Sequence, residues 1–271
     1  MGEIIEGNLH THTRLCRHAR GEPADYCRAA RRAGFAYLGF SDHTPLPGDM
    51  WKGVRMAMAE LPLYLEWLDR ARAEFADLRI LRGMECEYLP QFRSLLADRL
   101  LGELALDYLI GAVHPFPHRG EWCYTLGGVD GGAALRSYAD HYIATMEAGL
   151  FAFMAHPDMF GHSYLEWDGE AEACSRAMLA AAADLGMPLE INAYGYLKPL
   201  VPDPDGLRPP YPWRPFWELA GEYGIQVLVN SDAHDPDQVL GAMARGFALG
   251  RECGLEFVDP LSLVKGGGAA G

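Results

Sequence analysis

Short apolar runs, each stopped by a turn or a polar residue, recur along the chain at Ile4–Leu9, Tyr37–Phe40, Ile80–Met84, Tyr108–Val113, Phe151–Ala155, Pro188–Ile191 and Gln226–Val229. The stretches between them keep a different period. "EPADYCRAARRAG", "LPLYLEWLDRARAEF", "AALRSYADHYIATMEAG", "EAEACSRAMLAAAADLG" and "PWRPFWELAGEYG" space their apolar residues by three and four, and Gly closes four of the five. Continuous apolar strands separated by amphipathic helices predict a parallel sheet. Seven such units within 271 residues predict an α/β fold, a single-domain, closed or nearly closed (β/α)7 TIM-like barrel over residues 1–264. The Pro-rich stretch "GYLKPLVPDPDGLRPPYPWRP" (195–215) is expected to be an irregular loop over a site, and the tail "KGGGAAG" (265–271) to be disordered.

Polar residues at the ends of these runs carry the candidate chemistry. They are His10 and His12 in "HTH", Asp42 and His43 in "SDH", Glu85 and Glu87 in "GMECE", His114 in "GAVH", His156 and Asp158 in "AHPD", Glu190 and Asn192 in "EIN", and Asp232 and His234 in "SDAH". Six of the ten histidines fall at these positions, and His18 follows in the first loop. In a parallel barrel the C-terminal strand ends share one rim, so residues remote in sequence meet there. A two-residue step along extended backbone returns a side chain to the same face, which lets "HTH" and "DAH" act as chelating pairs. Imidazole mixed with carboxylate suits zinc, iron or manganese, whereas an all-oxygen set would suit magnesium or calcium. Taken singly, a histidine after an apolar run is more often structural, and Asp42 or Asp232 would serve as a helix N-cap. For Glu87, Asp158 and Glu190 both roles stay open.

Composition narrows the partners. A formal net charge of −14 repels a phosphate backbone, so no nucleic-acid partner is expected. No apolar stretch is long enough to span a bilayer, the N-terminus "MGEIIEGNLH" is acidic where a leader would be basic, and Glu6 replaces the Ser or Thr of a myristoylation signal. The six cysteines are scattered, with no CxxC pair, which suits reduced thiols and a cytoplasmic location.

The pieces "NLHTHTRLCRHA", "FSDHTPLP", "GMECEYLP", "GAVHPF", "AHPDMF", "EINAYG" and "NSDAH" together resemble the polymerase-and-histidinol-phosphatase (PHP) family of metal-dependent phosphoesterases, in its histidinol-phosphatase branch. The resemblance implies a distorted seven-unit barrel with three divalent transition metals. By motif, His10, His12, Glu85 and Asp232 would hold the first, Glu85 would bridge to a second held by His114 and His156, and His18, His43 and His234 would hold the third. Two positions depart from the branch: Leu197 and Met159 stand where relatives often place Arg, whose planar fork suits phosphate.

The implied reaction is hydrolysis of a small phosphate monoester, foremost histidinol phosphate, by a hydroxide bridging two metals, with no covalent Ser or Cys nucleophile. Besides the ligands His43, Glu85 and Asp232, catalytic candidates are Asp42, as an orienting partner for His43, and His162 near the leaving group. Tyr194, Lys198, Arg208, Arg214 and Arg55 are candidate substrate contacts. The alternatives are a phosphodiesterase or exonuclease of the same family acting on nucleotides, and a metal-binding module without turnover.

Overall fold

The structure is a computed structural model and describes residues 5–204 and 206–264, so the tail expected at 265–271 lies outside the described residues. Eight strands form the main sheet: β1 (Gly7–Asn8), β2 (Tyr37–Phe40), β3 (Arg79–Glu87), β4 (Tyr108–Ala112), β5 (Phe153–Met154), β6 (Leu189–Asn192), β7 (Gln226–Asn230) and β8 (Glu256–Phe257). Their hydrogen-bonded order follows the chain from β1 to β8. The pairings β1–β2, β2–β3, β5–β6 and β7–β8 are parallel. Each of the seven apolar runs contributes a strand, and the two-residue β8 is additional.

Helices intervene as the three-and-four spacing predicts: α1 (Pro23–Ala33), α2 (Leu61–Glu74), α3 (Gly132–Glu147), α4 (Gly169–Leu185), α5 (Arg214–Glu222) and α6 (Met243–Glu252). Local chemistry sets their ends. Pro23 opens α1 behind a Glu22–Asp25 capping box, and Gly34 ends it in the left-handed region at φ 79°. Asp168 caps α4 by accepting from the N–H groups of Glu170 and Ala171 at 3.0 and 2.9 Å. A π-helical segment, Leu95–Glu103, fills the connection between β3 and β4 where no regular element was expected.

The chain divides into two compact units. The first comprises Met1–Ile110, Asn230–Ala244 and Pro260–Gly271; the second comprises Gly111–Val229 and Arg245–Asp259. In the first unit, the buried Tyr108 phenol lies against Gly39 and Gly83, where any side chain would collide with it. Its hydroxyl donates to the Leu9 carbonyl at 2.5 Å, fixing the backbone immediately before His10.

In the second unit, the Pro-rich stretch is more ordered than the irregular loop expected from its sequence. Val201–Asp203 and Gly206–Arg208 form an antiparallel hairpin, with Val201 opposite Arg208. A two-stranded hairpin consists only of edges, so Pro202 lacks no hydrogen bond that the sheet requires.

Candidate metal centre

Hydrogen bonds from main-chain N–H groups within the first unit bring the ends of four strands together. Leu9 N–H donates to Asn230 Oδ1 at 2.8 Å, and His12 N–H to the Ala233 carbonyl at 2.9 Å. Ser41 N–H donates to the Thr11 carbonyl at 2.9 Å, while His43 forms a parallel bridge with Glu85. The ends of β1, β2, β3 and β7 thus carry His10, His12, His43, Glu85, Asp232 and His234 to one place. Asp232 sits at φ 49°, a left-handed conformation costly for a residue with a Cβ.

Two groups of donors result. In the first, His10 Nε2 and His12 Nε2 are 3.1 Å apart. Glu85 Oε2 lies 3.5 and 3.4 Å from them, and Asp232 Oδ1 lies 3.4 and 3.0 Å away. Metal–ligand bonds of about 2.0–2.1 Å in tetrahedral array place donors about 3.3 Å apart, close to these separations of 3.0 to 3.5 Å. The same Glu85 oxygen is 2.9 Å from His43 Nδ1, linking this group to the next.

The second group contains His18 and His234, whose Nε2 atoms are 3.0 Å apart. His18 Nδ1 lies 2.8 Å from the Cys16 carbonyl and His234 Nδ1 lies 2.9 Å from the Asp232 carbonyl. A carbonyl only accepts, so both Nδ1 atoms carry the proton and both Nε2 atoms present a lone pair. Two acceptors face each other, and a cation between them resolves the conflict. Burial, followed by neighbouring imidazoles, lowers the His18 pKa to about 3; burial lowers that of His234 to about 4, against the Asp232 carboxylate. His12 is likewise held well below the usual histidine value, mainly by burial. Neutral imidazoles are the form that binds metal. His43 completes the group, with ligand atoms of His12, His43 and His234 all within 4.8 Å of one another.

In the second unit, the rings of His114 and His156 lie with centroids 5.0 Å apart. His156 holds φ 30°, and its N–H donates to Glu190 Oε2 at 3.3 Å, an oxygen that also accepts from Asn192 Nδ2 at 2.8 Å. Glu190 therefore braces the strained turn that carries His156. Asp158 accepts from Trp213 N–H at 2.5 Å and Trp217 Nε1 at 2.8 Å, fastening the His156 segment to the start of α5. Burial raises its carboxyl to about 6 against those donors.

The remaining candidates separate by surroundings. Asp42, fully buried, accepts from the Thr13 N–H at 3.0 Å and the Thr13 hydroxyl at 3.1 Å, which steadies the turn after His12. Burial raises its carboxyl to about 8, with the Thr13 and Cys16 donors acting in the opposite direction. Arg55 is buried: it donates to both Glu87 oxygens at 2.7 and 2.8 Å and to the Thr44 carbonyl at 2.8 Å. Arg208 donates to the carbonyls of Gly161, Pro209 and Pro210 and pairs with Asp203, while Arg214 pairs with Glu252 and Glu218. Lys198 Nζ lies 3.9 Å from the Tyr194 ring centroid, and its charge acts after burial in lowering the His162 pKa. Met159 is buried and Leu197 is exposed. The bracing by Glu87 and Glu190 is not resolvable from sequence, because an acidic residue at the end of an apolar run reads equally as a ligand.

Imidazole–carboxylate donor groups at the ends of parallel strands define an α/β metal-site protein. The chain belongs to the PHP domain family, which matches residues 8–194. It is 32% identical over 254 residues to a protein of Deinococcus radiodurans named "Probable histidinol-phosphatase", covering 85% of this chain and 86% of that one. A Schizosaccharomyces pombe protein of the same name is 26% identical over 259 residues, covering 85% and 81%. In fold, the chain resembles the histidinol phosphate phosphatase of Lactococcus lactis, crystallised with zinc, L-histidinol and phosphate. That likeness has a TM-score of 0.72 at 17% identity and covers 93% of this chain and 95% of the other. It agrees with the TIM-like α/β class expected from the alternation of runs. Among the described residues no helix is long and apolar enough to cross a membrane.

Proposed function

We propose that this protein is a metal-dependent phosphoric monoester hydrolase that converts histidinol phosphate to histidinol and phosphate. The observation that carries the metal dependence is the facing pair of His18 and His234 lone pairs, beside a four-donor group of matching spacing. The substrate rests on the relatives named for histidinol phosphate hydrolysis.

His10, His12, Glu85 and Asp232 would hold one ion, His18, His43 and His234 another, and His114 with His156 a third. Such ions, when bound, neutralise phosphoryl oxygens and make water acidic enough to attack at neutral pH. The chain's own residues orient these ligands: Cys16 and Asp232 carbonyls fix the tautomers of His18 and His234, and Glu190 holds the His156 backbone. Lys198, whose charge reaches His162, would contact substrate phosphate with Tyr194 alongside, and His162 would stand near the leaving oxygen. This arrangement would supply the cationic contact that Leu197 and Met159 cannot. Cysteines that are all free suit a reducing, cytoplasmic setting.

Hydrolysis of histidinol phosphate is expected to exceed that of bis(p-nitrophenyl) phosphate and of single-stranded DNA by at least about a hundredfold in kcat/KM. The −14 charge disfavours polyanions while the ions draw in a compact one. Steady-state kinetics over a panel of phosphorylated metabolites and these diesters checks it, and preference for any diester over every monoester contradicts it.

A further inference from the structure

The second unit contains a cavity of about 580 Å³ whose walls include the hairpin, the start of α5 and one face of α6. His114, His156, His162, Tyr194 and Lys198 do not line it, whereas Arg208 and Arg214, candidate substrate contacts by sequence, do and are taken up there by Asp203 and Glu252. Its volume falls within the usual range of small-molecule sites. We propose that this cavity binds a small organic monoanion, a carboxylate on a compact apolar body.

The charge balance of the lining sets the sign and size of the ligand charge. Arg208, Arg214 and Arg245 contribute three cations, against Asp203 and Glu252. Arg208 is matched by Asp203 at 3.2 Å and Arg214 by Glu252, with Glu218, outside the lining, a further 3.6 Å from Arg214. Arg245 has no carboxylate in ion-pair range among the described residues; its guanidinium lies over the Tyr196 ring, 4.0 Å from the centroid. That stacking holds the group in place while leaving its edge, with the N–H donors, for an anion. One uncompensated cation accommodates one negative charge. A phosphate dianion would meet the Asp203 and Glu252 carboxylates with a charge left over, so the site discriminates against the phosphate monoesters turned over elsewhere in the protein.

The rest of the lining sets the body of the ligand. Leu207, Pro209, Pro212, Pro215 and Leu249 present apolar surface. A bare carboxylate such as acetate would leave that surface wet, whereas a ring or short hydrocarbon would cover it. In a chain carrying a net charge of −14, a site for an anion needs such a local device, because the overall field opposes its arrival.

Benzoate serves as the probe, with acetate and inorganic phosphate beside it, titrated by calorimetry into the full chain and into Arg245→Gln, Arg245→Lys and Glu85→Gln. Benzoate is expected to bind the original chain and Glu85→Gln alike and to bind Arg245→Gln at least about tenfold more weakly, with partial recovery in Arg245→Lys. Acetate should bind at least about tenfold more weakly than benzoate. Inorganic phosphate should not displace benzoate, and the phosphatase activity of Arg245→Gln should be unchanged. Absence of benzoate binding, equal affinity in Arg245→Gln, loss of binding in Glu85→Gln, or displacement by phosphate would overturn the proposal. None of these outcomes bears on metal-dependent hydrolysis, since no titrated variant other than Glu85→Gln touches the metal ligands.

Discussion

Glu85→Gln is expected to lower kcat by at least about a hundredfold while the protein stays folded and loses bound metal. One Glu85 oxygen lies within 2.9 to 3.5 Å of a nitrogen on each of His43, His12 and His10, so this carboxylate belongs to both donor groups of the first unit. A glutamine keeps the volume and one oxygen but removes the charge, and its amide nitrogen would point a donor at groups that also need an acceptor or a cation. The two effects act on the same ions, which is why a single oxygen-to-nitrogen change costs so much. Circular dichroism, steady-state kinetics and elemental analysis on one preparation check the result. Near-normal turnover with unchanged metal content would remove Glu85 from the centre.

The second large effect is expected at Arg55. Its guanidinium and the Glu87 carboxylate are 1% and 2% exposed, and they meet in a bidentate pair. Arg55→Met would take the guanidinium away from the buried Glu87 carboxylate, at a cost of about 3–5 kcal/mol. The double variant Arg55→Met with Glu87→Met removes both charges and should recover most of that stability, since replacing a whole buried pair by apolar groups is often close to neutral. Urea denaturation measures both steps. Kinetics on the double variant then separates positioning from contact. Arg55 also holds the Thr44 carbonyl, and Thr44 N–H donates to the Glu85 carbonyl at 2.9 Å. If Arg55 acts only by fixing this segment beside His43 and Glu85, a stable double variant keeps most of its kcat/KM. A stable double variant with a large rise in KM and unchanged kcat would make Arg55 a substrate contact instead.

Much of this arrangement can be read from the chain alone, for a physical reason. Strands buried on both faces require near-continuous apolar runs, and the polar residue that ends each run stands out against them. Thus the "HTH" at the end of β1 and the "DAH" after β7 were visible as a chelating pair each, and the structure brings both pairs together through the Thr11–Ala233 bridge. β8 escaped notice because two residues, Glu256 and Phe257, carry no periodicity. The hairpin at 201–208 was hidden by prolines that normally break strands but are harmless at an edge.

Side-chain pairing was the least legible level. "ECE" gives Glu85 and Glu87 the same face of β3, and only the position of Arg55, 32 residues earlier, gives Glu87 a buried ion pair. Arg208, a candidate substrate contact in a Pro-rich loop by sequence, is turned by the fold onto the carbonyls of Gly161 and Pro210 and stacked 3.7 Å from the Trp213 ring centroid. Partners that distant in sequence leave no local pattern.

Under the proposed function, clustered imidazoles and carboxylates hold divalent ions on which histidinol phosphate hydrolysis depends. The most direct measurement follows kcat/KM for histidinol phosphate on protein stripped with a chelator and then titrated with zinc, manganese or iron(II), with metal content determined on the same samples. Turnover is expected to be absent in the stripped protein and to return as two to three equivalents of metal bind. Full activity in protein holding less than one equivalent of these metals combined, or no activity toward histidinol phosphate after three equivalents have bound, would contradict it.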